Sequence, residues 1–100
     1  MKIIQVFPCD PDGDSLKSLL KATERALRGS TTTFVRQREG RWVHKRYPGS
    51  IKWGETFGGI LVAEVKGKEP EHDWQLLSAF IGYLDRHLGD AIDSISIVYR

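Results

Sequence analysis

Five cations crowd into residues 36 to 46 of this chain: Arg36, Arg38, Arg41, Lys45 and Arg46. Trp42 and Tyr47 are interleaved with them. Guanidinium and ammonium groups beside flat rings suit nucleic-acid or other polyanion binding, with cations on phosphates and a ring stacked on a base. That use requires the cations to share a face. Thr32-Thr33-Phe34-Val35 has strand composition, Glu39-Gly40 suits a two-residue turn, and Arg41-Trp42-Val43-His44 restarts a strand. With Arg38 and Arg41 flanking the turn, Arg36 opposes Val43 and Phe34 opposes Lys45. Six side chains then share one flank, and Arg36, Arg38, Arg41 and Lys45 are cations among them. Like charges set opposite each other weaken a hairpin, so this flank wants water, acids or a polyanion. The same pattern also suits an edge strand whose cations discourage pairing with other chains. Alternation sends Trp42 and His44 to the face away from Arg41 and Lys45.

A second group of aromatics, Tyr47, Trp53 and Phe57, surrounds the Pro48-Gly49 and Gly58-Gly59 turns. Loop aromatics of this density either cap one end of a core or, if exposed together, mark a partner-binding patch. Together with Trp42 they are the candidate partner-contacting aromatics.

Catalytic and metal-binding constellations are weaker. Asp10-Pro11-Asp12-Gly13-Asp14 begins like a calcium loop, but Ser15 stands where glycine is wanted and Lys21 where the closing bidentate glutamate belongs. Asp-x-Asp-Gly after a strand is also similar to the nucleophile loop of haloacid-dehalogenase-type phosphatases. The similarity covers five residues, and those enzymes use a larger α/β domain with further Lys and Asp motifs. A polar turn leading into a helix cap accounts for the same residues. Cys9 is the single cysteine, which excludes an internal disulfide, and no spacing ties it to His44, His72 or His87 as a nucleophile–base pair. His72 and His87 fall about 22 Å apart along one helix at ~1.5 Å per residue, too far to share a metal. The glycine-rich Gly54–Gly59 segment lacks the lysine and following helix of a phosphate loop. The sequence therefore nominates no catalytic residue, no metal ligand and no cofactor.

The elements that must position these residues follow from periodicity. Lys2–Phe7 reads as a buried strand and Pro8–Gly13 as a turn. Asp14 is placed to cap a helix carrying Leu16, Leu19, Leu20, Thr23 and Leu27, which Gly29 stops. After the hairpin, Pro48-Gly49-Ser50 breaks the chain, and Ile51-Lys52-Trp53 is a short strand or pinned loop. Ile60–Val65 is the clearest strand. A second helix begins near Pro70–Asp73 with an apolar stripe of Trp74, Leu77, Ile81, Leu84 and Leu88, widened by Phe80, and ends at Gly89. Ile92–Tyr99 closes the chain as a strand, with Ile95, Ile97 and Tyr99 on one side and Ser94, Ser96 and Val98 on the other.

That order, strand, helix, hairpin, strand, helix, strand, predicts an α+β fold. It would be a two-layer sandwich with both helices on one face of an antiparallel-rich sheet. With the hairpin counted as one position, it resembles the split-βαβ, ferredoxin-like arrangement, which puts the first strand and Ile60–Val65 centrally, the hairpin at one edge and the C-terminal strand at the other. RNA-recognition domains share a related order, but their third strand carries stacking aromatics, and Gly58–Val65 has none.

One hundred residues with 40% hydrophobic and 28% charged side chains bound a single domain, 1–100, of ordinary soluble composition. No apolar run is long enough to span a bilayer, and the N-terminus lacks signal-peptide features, so a cytoplasmic location is expected. The net charge of +2 is unevenly spread, with six cations against one acid in residues 34–53 and four cations against eight acids in residues 54–100. Such polarity can steer an anionic partner. The leading expectation is a small non-catalytic interaction domain that binds another protein or itself, with self-pairing along Ile95–Tyr99. The alternatives are nucleic-acid or polyanion binding through the basic hairpin 34–47 and, third, a small enzyme.

Overall fold

A computed structural model describes residues 1–27, 34–37 and 40–99. The elements run β1 (Lys2–Pro8), α1 (Leu16–Ala26), β2 (Phe34–Arg36), β3 (Trp42–His44), β4 (Gly49–Glu55), β5 (Leu61–Gly67), α2 (His72–Leu88) and β6 (Ile92–Tyr99). The fold is α+β, with one six-stranded sheet ordered β2-β3-β4-β5-β1-β6, antiparallel at every pairing.

Alternation fixes which side of the sheet is buried. Ile4 pairs with Ala63 and Val6 with Leu61, Ile51 with Val65, and Trp42 with Ile51. All of these are buried, and they form one core with Leu16 and Leu20 of α1 and Leu76, Leu77, Phe80, Tyr83, Leu84 and Leu88 of α2. The intervening positions, among them Ile3, Gln5, Lys52, Glu64 and Lys66, are half-buried or exposed. One face of the sheet therefore carries the core, as the period-two side-chain alternation of strands requires. Removing a Leu or Phe side chain from water here contributes about 1.5–3 kcal/mol each.

The helices start where their polar residues can satisfy the backbone. Ser15, not Asp14, caps α1: it is extended, and its hydroxyl accepts the N–H of Ser18 at 3.1 Å. Asp14 lies one residue too early, and the expected stop at Gly29 falls outside the described residues. In α2 the buried stripe is Asp73, Leu76, Leu77, Phe80, Tyr83, Leu84 and Leu88. Trp74, expected to lead it, is instead 52% exposed, and Ile81 is half-buried. The two sets share Leu77, Phe80, Leu84 and Leu88, and the observed stripe is rotated by only about 50° around the axis. Leu76 and Tyr83 enter the core in place of Trp74 and Ile81.

The largest departure concerns residues 49–55. Gly49 and Ser50 do not break the chain. They begin a seven-residue strand that pairs with β5 from Gly49↔Gly67 to Glu55↔Leu61. The hairpin therefore lies one strand further from the sheet centre than expected, while β1 and β5 are internal and β6 forms the other edge.

Candidate functional site

The hairpin closes in a register one residue away from the expected one. Phe34 stands opposite His44, Val35 opposite Val43, and Arg36 opposite Trp42. The backbone N–H of Gln37 donates to the carbonyl of Arg41 at 2.6 Å, leaving three residues between them. Arg38 and Glu39, and with them the expected two-residue turn, lie outside the described residues. Gly40 has φ of +74°, the left-handed conformation that glycine adopts without strain.

A one-residue slip moves a side chain to the other face of the sheet. Phe34 and Arg36 consequently share a face with Trp42 and His44, while Arg41 lies on the opposite face. Arg36 and Arg41, expected on one flank, are thus on opposite faces. The cause is burial: Phe34 and Trp42 are 6% and 2% exposed, with ring centroids 5.8 Å apart. Only a register that aims both rings at the core achieves this. Each also packs edge-on against Phe80 and Tyr83, arrangements worth about 0.5–1.5 kcal/mol per aromatic pair beyond area burial.

The remaining cations disperse. Arg36 reaches Glu24 of α1 at 3.4 Å. Lys45 and Arg46 are exposed on the β3–β4 connection, with the Arg46 guanidinium 5.9 Å from the centre of the Tyr47 ring. That connection is held by His44, whose Nδ1 accepts the backbone N–H groups of Arg46 at 2.9 Å and Tyr47 at 3.1 Å. The imidazole stacks on Tyr47 at 4.6 Å. Burial, followed by the charge of Arg46, lowers its pKa, so the neutral acceptor form is favoured.

The aromatic candidates do not converge either. Trp42 is in the core. Trp53 is half-buried and meets Trp42 edge-on at 5.6 Å, with its Nε1 buried and lacking a hydrogen-bond partner. Tyr47 precedes β4 and Phe57 follows it. A seven-residue strand, about 20 Å end to end at ~3.3 Å per residue, separates them. Phe57 alone is fully exposed.

The acidic loop and the histidines occupy separate sites. Asp10 accepts the N–H of Asp12 at 3.0 Å within its own turn, and Cys9 is exposed. Burial and then Glu24 raise the pKa of Tyr83, whose ring lies 4.6 Å from that of His87. Among the described residues, no three of His, Cys, Asp and Glu converge as a metal site, and no helix is long and apolar enough to cross a membrane.

The strand expected to self-pair, Ile95–Tyr99, lies at the opposite edge. β6 is eight residues long, pairs with β1 alone among the described strands, and bears one charged side chain, Asp93, among its residues. Beside it, α2 and β6 enclose a groove of about 530 Å³ lined by Trp74, Ser78, Ile81, Gly82, Asp85, Gly89, Ile92 and Ile95. Tyr99 closes the strand at 67% exposure. The signal available in the sequence was the absence of charge between Ser94 and Tyr99. The contribution of Trp74 was hidden by its helical spacing.

Comparison with protein-family models, curated proteins and solved structures finds no match to this chain.

Proposed function

We propose that the protein is a small non-catalytic interaction domain that binds a second copy of itself through the β6 edge. The observation that carries this reading is the unprotected length of β6. Eight residues of an outer strand present unpaired backbone donors and acceptors, a template for another strand. The other edge, β2, has three residues and is followed by cations, two of the devices by which sheet edges avoid pairing.

The strand is complementary to itself. An antiparallel two-fold pairing centred on Ser96 sets Ile95 against Ile97 of the second copy and Ser94 against Val98. Asp93 falls opposite Tyr99 rather than opposite its own equivalent, so no like charges meet. The side of β6 bearing Ile95 and Ile97, both partly buried against the core, would continue into the second molecule. The two α2 helices would then meet above the seam, covering Trp74 and the groove. In this reading the β6-β1-β5-β4 order is the split-βαβ, ferredoxin-like core, with both helices in one layer and β3-β2 as an extension.

Polyanion binding by the hairpin cations is the less favoured reading, because Arg36 is paired with Glu24 and faces away from Arg41.

Sedimentation over a concentration series, on wild type and Ser96→Lys, tests self-association. Ser96 is half-buried on the face away from the core, so lysine leaves the fold intact while placing two ammonium groups opposite each other across the two-fold. Wild type should dimerise and the variant should remain monomeric with unchanged circular dichroism. A wild type that stays monomeric at every concentration overturns the proposal, as does a variant that dimerises equally well.

A further inference from the structure

The face of the sheet opposite the core gathers cations that the sequence scatters. Arg41 and Val43 flank the buried Trp42, Ser50 and Lys52 flank the buried Ile51, and Lys66 sits between the buried Val65 and Gly67. Strand alternation therefore brings all of these side chains to one surface. The pairing of Trp42 with Ile51 and of Ser50 with Lys66 makes them neighbours across three strands. Lys68 is fixed beside them, because its backbone N–H donates to the carbonyl of Pro48 at 3.1 Å.

Between them lies a shallow basin of about 400 Å³, lined by Gln37, Arg41, Val43, Ser50, Lys66 and Lys68 together with the backbone of Gly49 and Gly67. Three of its lining residues are cations, and none is an acid or an aromatic. The ion pairs among the described residues are Met1–Asp73 and Arg36–Glu24, neither of which involves the basin. Lys52, next along β4, has Glu64 as its cross-strand partner. Among the described residues lining the basin, Arg41, Lys66 and Lys68 meet no acidic side chain. Like charges held around one depression repel, and an anion seated among them reverses the sign of that interaction.

We infer that this basin binds an oligophosphate group. A compact multiple anion satisfies three cations at once. Arg41 supplies a planar fork suited to two phosphate oxygens, while the lysines act as movable point charges and the Ser50 hydroxyl adds a neutral donor. The volume falls at the small end of ligand sites. With no ring to stack on, recognition rests on the phosphates rather than on a base. The inference is independent of self-association, since the basin lies near β3 and the groove beside β6.

The test is calorimetric and NMR titration of the full chain at low salt with orthophosphate, tripolyphosphate and ATP. Tripolyphosphate should bind more tightly than orthophosphate, shifting the amide signals of Arg41, Ser50, Lys66 and Lys68. A Lys66→Gln/Lys68→Gln variant should bind about tenfold more weakly, the scale expected for losing charge-assisted hydrogen bonds. Lys21→Gln/Arg25→Gln, which removes as much charge from exposed positions of α1 on the core side of the sheet, should leave affinity nearly unchanged. Equal affinity for ATP and tripolyphosphate supports recognition of the phosphates alone, and clearly tighter ATP binding overturns it by showing that the nucleoside is read. Absence of binding by both overturns the inference, as does equal weakening by the two double variants.

Discussion

The carboxylate of Asp73 accepts the backbone N–H of Gly67 at 2.7 Å, joining the first turn of α2 to the last residue of β5. Its other oxygen lies 2.7 Å from the α-amino group of Met1, so a single buried side chain links a helix start, an internal strand and the beginning of β1. Burial by itself raises the Asp73 pKa. The ammonium group, the Gly67 amide and Lys2 act in the opposite direction and prevail, leaving it below the ordinary carboxylate value.

The sign of the pH effect follows. A carboxyl with a lower pKa in the folded than in the unfolded chain stabilises the fold at pH above its unfolded value, and that stability is lost as pH falls through the folded one. Wild type should therefore lose stability steeply below about pH 4. Asp73→Asn should be less stable at neutral pH by about 1–3 kcal/mol, the scale of a hydrogen bond to a charged group, and should show a shallower acid dependence. Urea unfolding at neutral and acid pH measures both, and parallel pH profiles for the two proteins would refute the assignment.

The same junction forbids a side chain at position 67. A Cβ on Gly67 would lie 2.6 Å from the backbone N of Asp73 and 2.6 Å from the Cβ of His72, inside van der Waals contact with a helix start that cannot retreat without losing the Asp73 bond. Gly49, its cross-strand partner, has φ of +137° and would drive a Cβ into the carbonyl of Lys66 and the side chain of Leu76. Overpacking of this kind costs about 1–3 kcal/mol. Thermal melts should place Gly67→Ala well below wild type and Gly49→Ala at least as low, since the latter adds backbone strain. Either variant melting at the wild-type temperature would contradict this close approach.

His44 provides a second pH-dependent element, outside the core. Its Nδ1 accepts two backbone N–H groups, an interaction available only to an unprotonated nitrogen. Burial and Arg46 both lower its pKa. A histidine with a depressed folded pKa stabilises the fold above its unfolded value of about 6.5, and that contribution disappears as pH falls through the folded value. NMR titration should find the imidazole titrating below about 6.5. Amide exchange of Arg46 and Tyr47, corrected for intrinsic pH dependence, should accelerate over the same interval. An imidazole titrating at or above the ordinary value would rule this out.

Local periodicity made most of the fold legible. The Ile95/Ile97 alternation, the leucines of α1 and the β-branched run around Val62 each specify one element without tertiary help. What was not legible depended on a choice between two nearly equal local solutions. A two-residue and a three-residue connection both suit a hairpin with Gly40 near its tip, and the decision rests on whether Phe34 can join Trp42 inside. Trp74 and Leu76 fit helical stripes equally well until the rest of the core selects one. The basin formed by Arg41 and Lys66 was further out of reach, because twenty-five sequence positions separate residues that only the β3-β4-β5 order brings together.

Gly82 interrupts the middle of α2, where glycine costs about 1 kcal/mol relative to alanine. No described residue requires it: a Cβ there would meet none of their atoms within 4 Å. It does line the groove beside β6 together with Trp74 and Ser78. If α2 is approached by the α2 of a second copy, the missing side chain is what permits close packing, and two properties should separate. Gly82→Ala should stabilise the monomer by about 1 kcal/mol, read as a raised melting temperature at low concentration. It should weaken the dimer in sedimentation, because the added methyl groups hold the helices apart. Stabilisation with unimpaired dimerisation would show that Gly82 has no part in the contact, and a lowered monomer melting temperature would mean that the space above it is already filled.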